Sequence, residues 1–201
     1  MQQISDDPRF IVTIERREGV DLERLLPLMP ISIPDPVRDL LTVAGGTVIQ
    51  YLSPMNNSEI KIDIERVFGY KQRLMGGVHI CRPTEVLDAL NARHEWVGAH
   101  NENSELWMVT VPFLFIPNGD SIGIRIDRGQ RQAVVYLNHD GNSFELSPSL
   151  PEFLAFWESI CYVGPGWWLL ESWYEDYGLL RPNPEKAGML AEIFQKKNTG
   201  L

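Results

Sequence analysis

Residues 112–161 read PFLFIPNGDSIGIRIDRGQRQAVVYLNHDGNSFELSPSLPEFLAFWESIC, and this stretch decides the fold class. Ile122, Ile124 and Ile126 alternate with other residues at the period of two that a strand requires. Asp127, Arg128, Gly129 and Gln130 form a polar turn into an apolar run over 133–137, which together predict a hairpin. Ser149 and Glu152 then stand at capping-box spacing before Phe153, Leu154, Phe156, Trp157 and Ile160. Two strands, a turn and a helix in that order are not a βαβ unit.

Upstream, residues 10–14 predict a short strand, and Asp21 an N-cap for a helical turn bearing Leu22, Leu25 and Leu26. Asp35 followed by Pro36 predicts a firmer helix start. Val37, Leu40, Leu41 and Ala44 share one face of that helix, and Gly45-Gly46 ends it. Strands are expected over 47–52 and around Ile60, Ile62 and Ile64, and a helix over 84–91. The apolar segment 106–116 predicts a long strand that bends or lies at an edge at Pro112. Downstream, Gly164, Pro165 and Gly166 break the chain before WWLLESWYEDYG, a short helix, and Asn183-Pro184 starts a last helix with Met189, Leu190, Ile193 and Phe194. Helices at both ends and strands between them predict an α+β domain with one mostly antiparallel mixed sheet. With no repeat or long linker, residues 1–201 are expected to be a single domain.

The bulk numbers narrow the function. The chain has 201 residues, 44% hydrophobic and 22% charged, enough to bury a core without disulfides or metals. Its net charge of −9 argues against nucleic acid or an anionic membrane as main partner, since both need clustered Lys and Arg. The acidity is local. Between Arg131 and Arg181 there is no Lys or Arg, while Asp140, Glu145, Glu152, Glu158, Glu171, Glu175 and Asp176 all lie inside. A one-signed region of this kind selects a basic partner. Cys81 and Cys161 are far apart and expected to be idle thiols. The first residues, MQQISDDPRF, lack the pattern of a leader, and no uncharged apolar run approaches the roughly 18 residues of a membrane span. The expected protein is soluble and cytoplasmic, with no cofactor.

Five motifs carry a family likeness. They are IPDPVRDLLTVAGG (33–46), NGD (118–120), SIGIRID (121–127), VVYLNHD (134–140) and SLPEFLAFW (149–157). In this order and spacing the chain resembles the SUKH superfamily, the Smi/Knr-like domains, with a core over about 20–163. Residues 164–201 form a helical extension outside the resemblance. The likeness implies an α+β domain that binds another protein and brings no catalytic residues. In bacteria such domains act as immunity proteins that neutralise a cognate toxin. Fungal relatives act as regulatory adaptors, the alternative role implied here.

The chemistry-bearing residues each have a plain structural alternative. Asn118, Gly119 and Asp120 fit a tight turn before a strand better than a metal loop. His139 and Asp140, with Asp120, offer a base and an orienting carboxylate for a small hydrolase. However, Asp140-Gly141 is also a hairpin turn after an apolar strand, and no nucleophile motif accompanies it. His79 and Cys81 lack the second pair a zinc site requires, so no metal is expected. Trp168, Glu171, Trp173, Tyr174, Glu175 and Asp176 admit two readings: rings in the core with solvated acids, or a face for an Arg- or Lys-rich partner. Asp140 and Glu145 extend that face, so the expected partner is a basic protein, met by occlusion without catalysis.

Overall fold

The computed structural model describes residues 10–52, 65–68, 75–97, 105–126, 132–166, 170–173, 180 and 183–195. The principal elements are β1 (Ile11–Arg16), α1 (Leu22–Leu25), α2 (Asp35–Ala44), β2 (Thr47–Leu52), β3 (Met75–His79), α3 (Pro83–Val97), α4 (Leu106–Val109), β4 (Thr110–Phe115), β5 (Ser121–Arg125), β6 (Val134–Leu137), β7 (Phe144–Ser147), α5 (Leu150–Ser159) and α6 (Pro184–Gln195). A 3-10 turn over Leu26–Leu28 extends α1, and another spans Glu171–Trp173. The fold is α+β.

In place of the one mixed sheet expected, the strands form two antiparallel sheets, β1-β2-β3 and β4-β5-β6-β7. An antiparallel bridge between Ile80 and Leu114, with the Cys81 N–H donating to the Phe113 carbonyl at 2.9 Å, ties one sheet to the other. Spatial order therefore follows chain order through all seven strands. No described pairing is parallel, because each strand turns back beside its predecessor and needs no crossover.

The main core lies on one face of the four-stranded sheet. Register places Val111, Ile124 and Val134 in one row and Leu114, Ile122 and Tyr136 in the next, and all of them are buried. Helix α5 covers these rows. Its residues Phe153, Phe156 and Trp157 recur on one side at helical spacing and are buried, while Glu152, Leu154, Ala155 and Glu158 face solvent. The opposite face is also covered, by Trp107 packed with Val135 and Leu137. Burial on both sides explains why VVYL is a continuous apolar run. From the C-terminal extension, Leu170, Trp173, Leu180, Leu190 and Ile193 join the same core cluster as the strands.

Capping chemistry sets several boundaries. Ser149 Oγ accepts the Glu152 N–H at 3.3 Å, the N-cap bond predicted for α5, while the Glu152 carboxylate takes its bond from the Ser149 hydroxyl at 3.0 Å and not from the Ser149 backbone N–H. Asp21 accepts the Glu23 N–H at 3.1 Å, as expected for α1. At α2 the expectation shifts by one residue. Pro34 is the cap and Asp35 lies inside the first turn without a side-chain capping bond, since Pro34 already holds the extended conformation a cap needs.

Other differences have local causes. Helix α3 runs well past Asn91, because Val86, Leu90 and Arg93 extend one buried stripe. The apolar run expected as a single strand over 106–116 begins as a helical turn, α4, which turns Trp107 onto the second sheet face. The irregularity predicted at Pro112 is present as a register shift between Pro112 and Leu114. Strand β7 is short and carries only Phe144 and Leu146 as apolar residues, too little pattern to predict it. The alternation at Ile60, Ile62 and Ile64, the turn over 127–130 and most of WWLLESWYEDYG lie outside the described residues.

After α5 the chain takes two consecutive left-handed residues, Cys161 (φ 55) and Tyr162 (φ 56). Such positions cost about 1–3 kcal/mol each in a residue other than glycine. Fixed partners hold the segment there. Tyr51 Oη donates to the Cys161 carbonyl at 2.8 Å, the Gly77 N–H to the Tyr162 carbonyl at 2.9 Å, and Trp157 Nε1 to the Val163 carbonyl at 3.0 Å. A side chain at Gly76 would collide with Tyr51 and with the Tyr162 carbonyl. Burial pushes the Tyr51 phenol well above its usual range, so it acts here as a neutral donor. Tyr51→Phe should lower the unfolding free energy by about 0.5–1.5 kcal/mol, because it removes the donor to a part-buried carbonyl. Urea titration of both proteins measures that difference.

Candidate functional site

One polar cluster is built by the turn from β4 to β5 and the end of β6. Strand pairing sets Ser121 opposite Leu137, so Asp120 comes level with the residues just after β6. Gly119 (φ +103) makes the reversal, with its N–H donating to the Ile116 carbonyl at 3.0 Å. Asn118 Oδ1 accepts the Asp120 N–H at 3.1 Å, an Asx turn. The NGD motif is thus the tight turn predicted for it.

Asp120 is 2% exposed, yet its carboxylate has four donors. Tyr136 Oη donates at 2.6 Å, Asn118 Nδ2 at 2.7 Å and the His139 backbone N–H at 3.0 Å. His139 Nδ1 lies 2.7 Å from Asp120 Oδ1, and its Nε2 lies 2.9 Å from Asp140 Oδ2. When the ring carries both protons, each N–H meets a carboxylate. Burial alone would raise the Asp120 pKa. The bonds from Tyr136, His139 and Asn118 outweigh it and hold the carboxyl below the usual range.

The sequence placed Asp120, His139 and Asp140 as candidates, and the structure brings all three together. It also adds Tyr136, which sequence reasoning missed. A buried tyrosine inside an aliphatic strand needs an acceptor, and that was the available signal. An Asp–His pair can orient a general base. Here the partner described at Nε2 is a second carboxylate, and Asp140 is 84% exposed by side chain. The bonds cross from one hairpin end to the other, so the cluster acts as a clamp on the sheet.

The rest of the expected binding set divides. Trp173 is 1% exposed, packed edge-on against Phe68 and Phe156, and belongs to the core. Its assignment to a binding face is corrected, because the 3-10 turn over Glu171–Trp173 turns the ring inward and leaves Glu171 exposed. Glu145 pairs with Arg125 at 2.9 Å across the sheet, a half-buried ion pair that ties up the acid. Arg125 lies outside the acidic window in sequence, so charge counting could not foresee it. Trp168, Tyr174, Glu175 and Asp176 lie outside the described residues.

Glu152 and Glu158 project from α5 with Leu154, which is 37% exposed, between them in sequence. No Lys or Arg occurs on this helix. An apolar cavity of about 280 Å³ lies elsewhere, lined by Leu52, Met75, Val78, His79, Phe115 and Pro165 among others. His139 lines neither it nor the larger polar groove beside Arg16 and Asp21. Cys81 is buried, and among the described residues no group of three or more His, Cys, Asp or Glu is placed to hold a metal. Among the described residues no helix is long and apolar enough to cross a membrane. No family model, curated protein or solved structure matches the chain.

The lowered pKa of Asp120 fixes a sign. A carboxylate depressed in the folded state contributes stability above its ordinary unfolded value, near 3.8, and that contribution is lost as pH falls through the lower folded value. Wild type should therefore lose unfolding free energy as pH drops below about 4, and Asp120→Asn should show a shallower loss from a lower plateau. Thermal unfolding across that range checks both slopes.

Proposed function

We propose that this chain is a non-catalytic protein-binding domain that neutralises a basic protein toxin by occlusion, as the SUKH-like motif order implies. The observation that carries the reading is the outer face of α5. It presents Leu154 and Glu158 one turn apart on the same side, with Glu152 on the other flank, on an element with no positive charge. Glu171 and Asp140 are further exposed carboxylates of the same acidic stretch. Such a face offers an apolar side chain beside a carboxylate, which suits a lysine- or arginine-rich surface. Opposite charges would steer association, while burial around Leu154 would supply affinity.

The test is binding to the protein encoded by the adjacent open reading frame, expected to be cationic, measured by surface plasmon resonance at several salt concentrations. Glu158→Lys/Glu171→Lys should slow association at least about tenfold at low salt, and the difference should shrink as salt rises. Absence of binding, or binding indifferent to both charge and salt, contradicts the proposal.

A second reading, hydrolysis at His139, draws on the convergence of Asp120, His139 and Asp140. It requires His139 to act on a substrate. On the binding reading, His139→Ala lowers the melting temperature and leaves toxin neutralisation intact at temperatures where the variant is folded. Loss of a measurable hydrolytic activity in that folded variant would favour the second reading.

A further inference from the structure

β1 is an edge strand. It pairs with β2 on one side with an unbroken register from Ile11↔Leu52 to Arg16↔Thr47. The Arg17 N–H donates to the Gly46 carbonyl at 2.9 Å, which marks that pair as hydrogen-bonded. Bonded and non-bonded pairs alternate along an antiparallel ladder. Odd-numbered residues of β1 therefore turn their backbone groups toward β2, and Val12, Ile14 and Arg16 turn theirs outward.

Natural sheets blunt such edges with proline, bulges, inward charge or a covering element. Among the described residues this edge has no proline, bulge or covering element, and its charges, Glu15 and Arg16, stand together at one end. It is six residues long, regular, and free of Pro, Gly and Lys. Ile11 is 56% exposed and Ile14 65% exposed. At the opposite end of the meander, by contrast, the Leu180 N–H donates to the Leu146 carbonyl of β7 at 2.9 Å.

We propose that β1 pairs antiparallel with β1 of a second copy of this chain, about a two-fold axis through Ile14, to make a homodimer with a continuous sheet. That register sets Ile14 against Ile14, Val12 against Arg16, Thr13 against Glu15 and Ile11 against Arg17. The outward N–H and carbonyl groups of Val12, Ile14 and Arg16 are then paired on both strands, giving about six new hydrogen bonds. No like charges stand opposite each other, which is the condition such pairs require. The occupant follows from charge. The chain carries −9 as a whole, but residues 11–17 hold only Glu15, Arg16 and Arg17, so two copies meet here without the repulsion of their acidic regions. A basic strand from another protein would instead face Arg16 and Arg17.

Analytical ultracentrifugation of the full chain from micromolar to hundreds of micromolar tests the dimer. Wild type should sediment as a dimer at the upper end. In Ile14→Pro the lost N–H is one that points outward, so the monomer can fold as edge strands with proline do, while dimerisation weakens at least about tenfold. Ile14→Lys sets two cations on the axis and should have the same effect, with unchanged circular dichroism at low concentration. A wild type that stays monomeric throughout overturns the proposal. So do folded variants that dimerise as tightly as wild type.

Discussion

The buried carboxylate of Asp120 is the interaction on which the order of this sheet depends. It sits at the reversal between β4 and β5, and its donors come from the turn, from the interior of β6 and from the chain just after β6. An unpaired charge in that position would be strongly destabilising, whereas one with four donors is held ionised and specifies a single register. A slip of β6 by one residue would turn Tyr136 to the other face and leave Asp120 with an unfilled site. The hydrophobic rows on β4, β5 and β6 meet α5 only in the register that this clamp allows.

A second set of restraints works at the far end of α5. Tyr51, Gly77 and Trp157 bind three successive carbonyls of the strained segment 161–163. The three-stranded sheet is thereby tied to the helix that covers the four-stranded one. With both ends fixed, α5 has little freedom to roll, and its outer residues keep a constant relation to the sheet. That rigidity is what a preorganised binding face needs, because less entropy is lost on association.

Sequence pattern revealed the strong local signals and missed those that depend on distant partners. The N-cap at Ser149, the turn at Asn118-Gly119-Asp120, the alternation through Ile122 and Ile124 and the last helix were legible because each rests on neighbours in the chain. The extent of α3, the helical turn at Trp107 and strand β7 were not, since tertiary burial overrides weak local preference there. The same division holds at the site. Asp120, His139 and Asp140 could be named from the sequence, but their joining needs the β5–β6 register, and Tyr136 enters through that register alone. Trp173 misled because a tryptophan beside acids reads equally as core or as surface, and burial decides it. Glu145 has a counter-ion that charge counting could not foresee, because Arg125 is twenty residues away on β5, with β6 between them.

Treating His139 as part of a clamp, with function left to outer faces, rests on cooperative bonding within the cluster. The most direct measurement is a double-mutant cycle on unfolding free energy with Asp120→Asn and Tyr136→Phe. The account predicts a coupling of at least about 1 kcal/mol, as expected for partners in one buried network. Strict additivity of the two substitutions would contradict it.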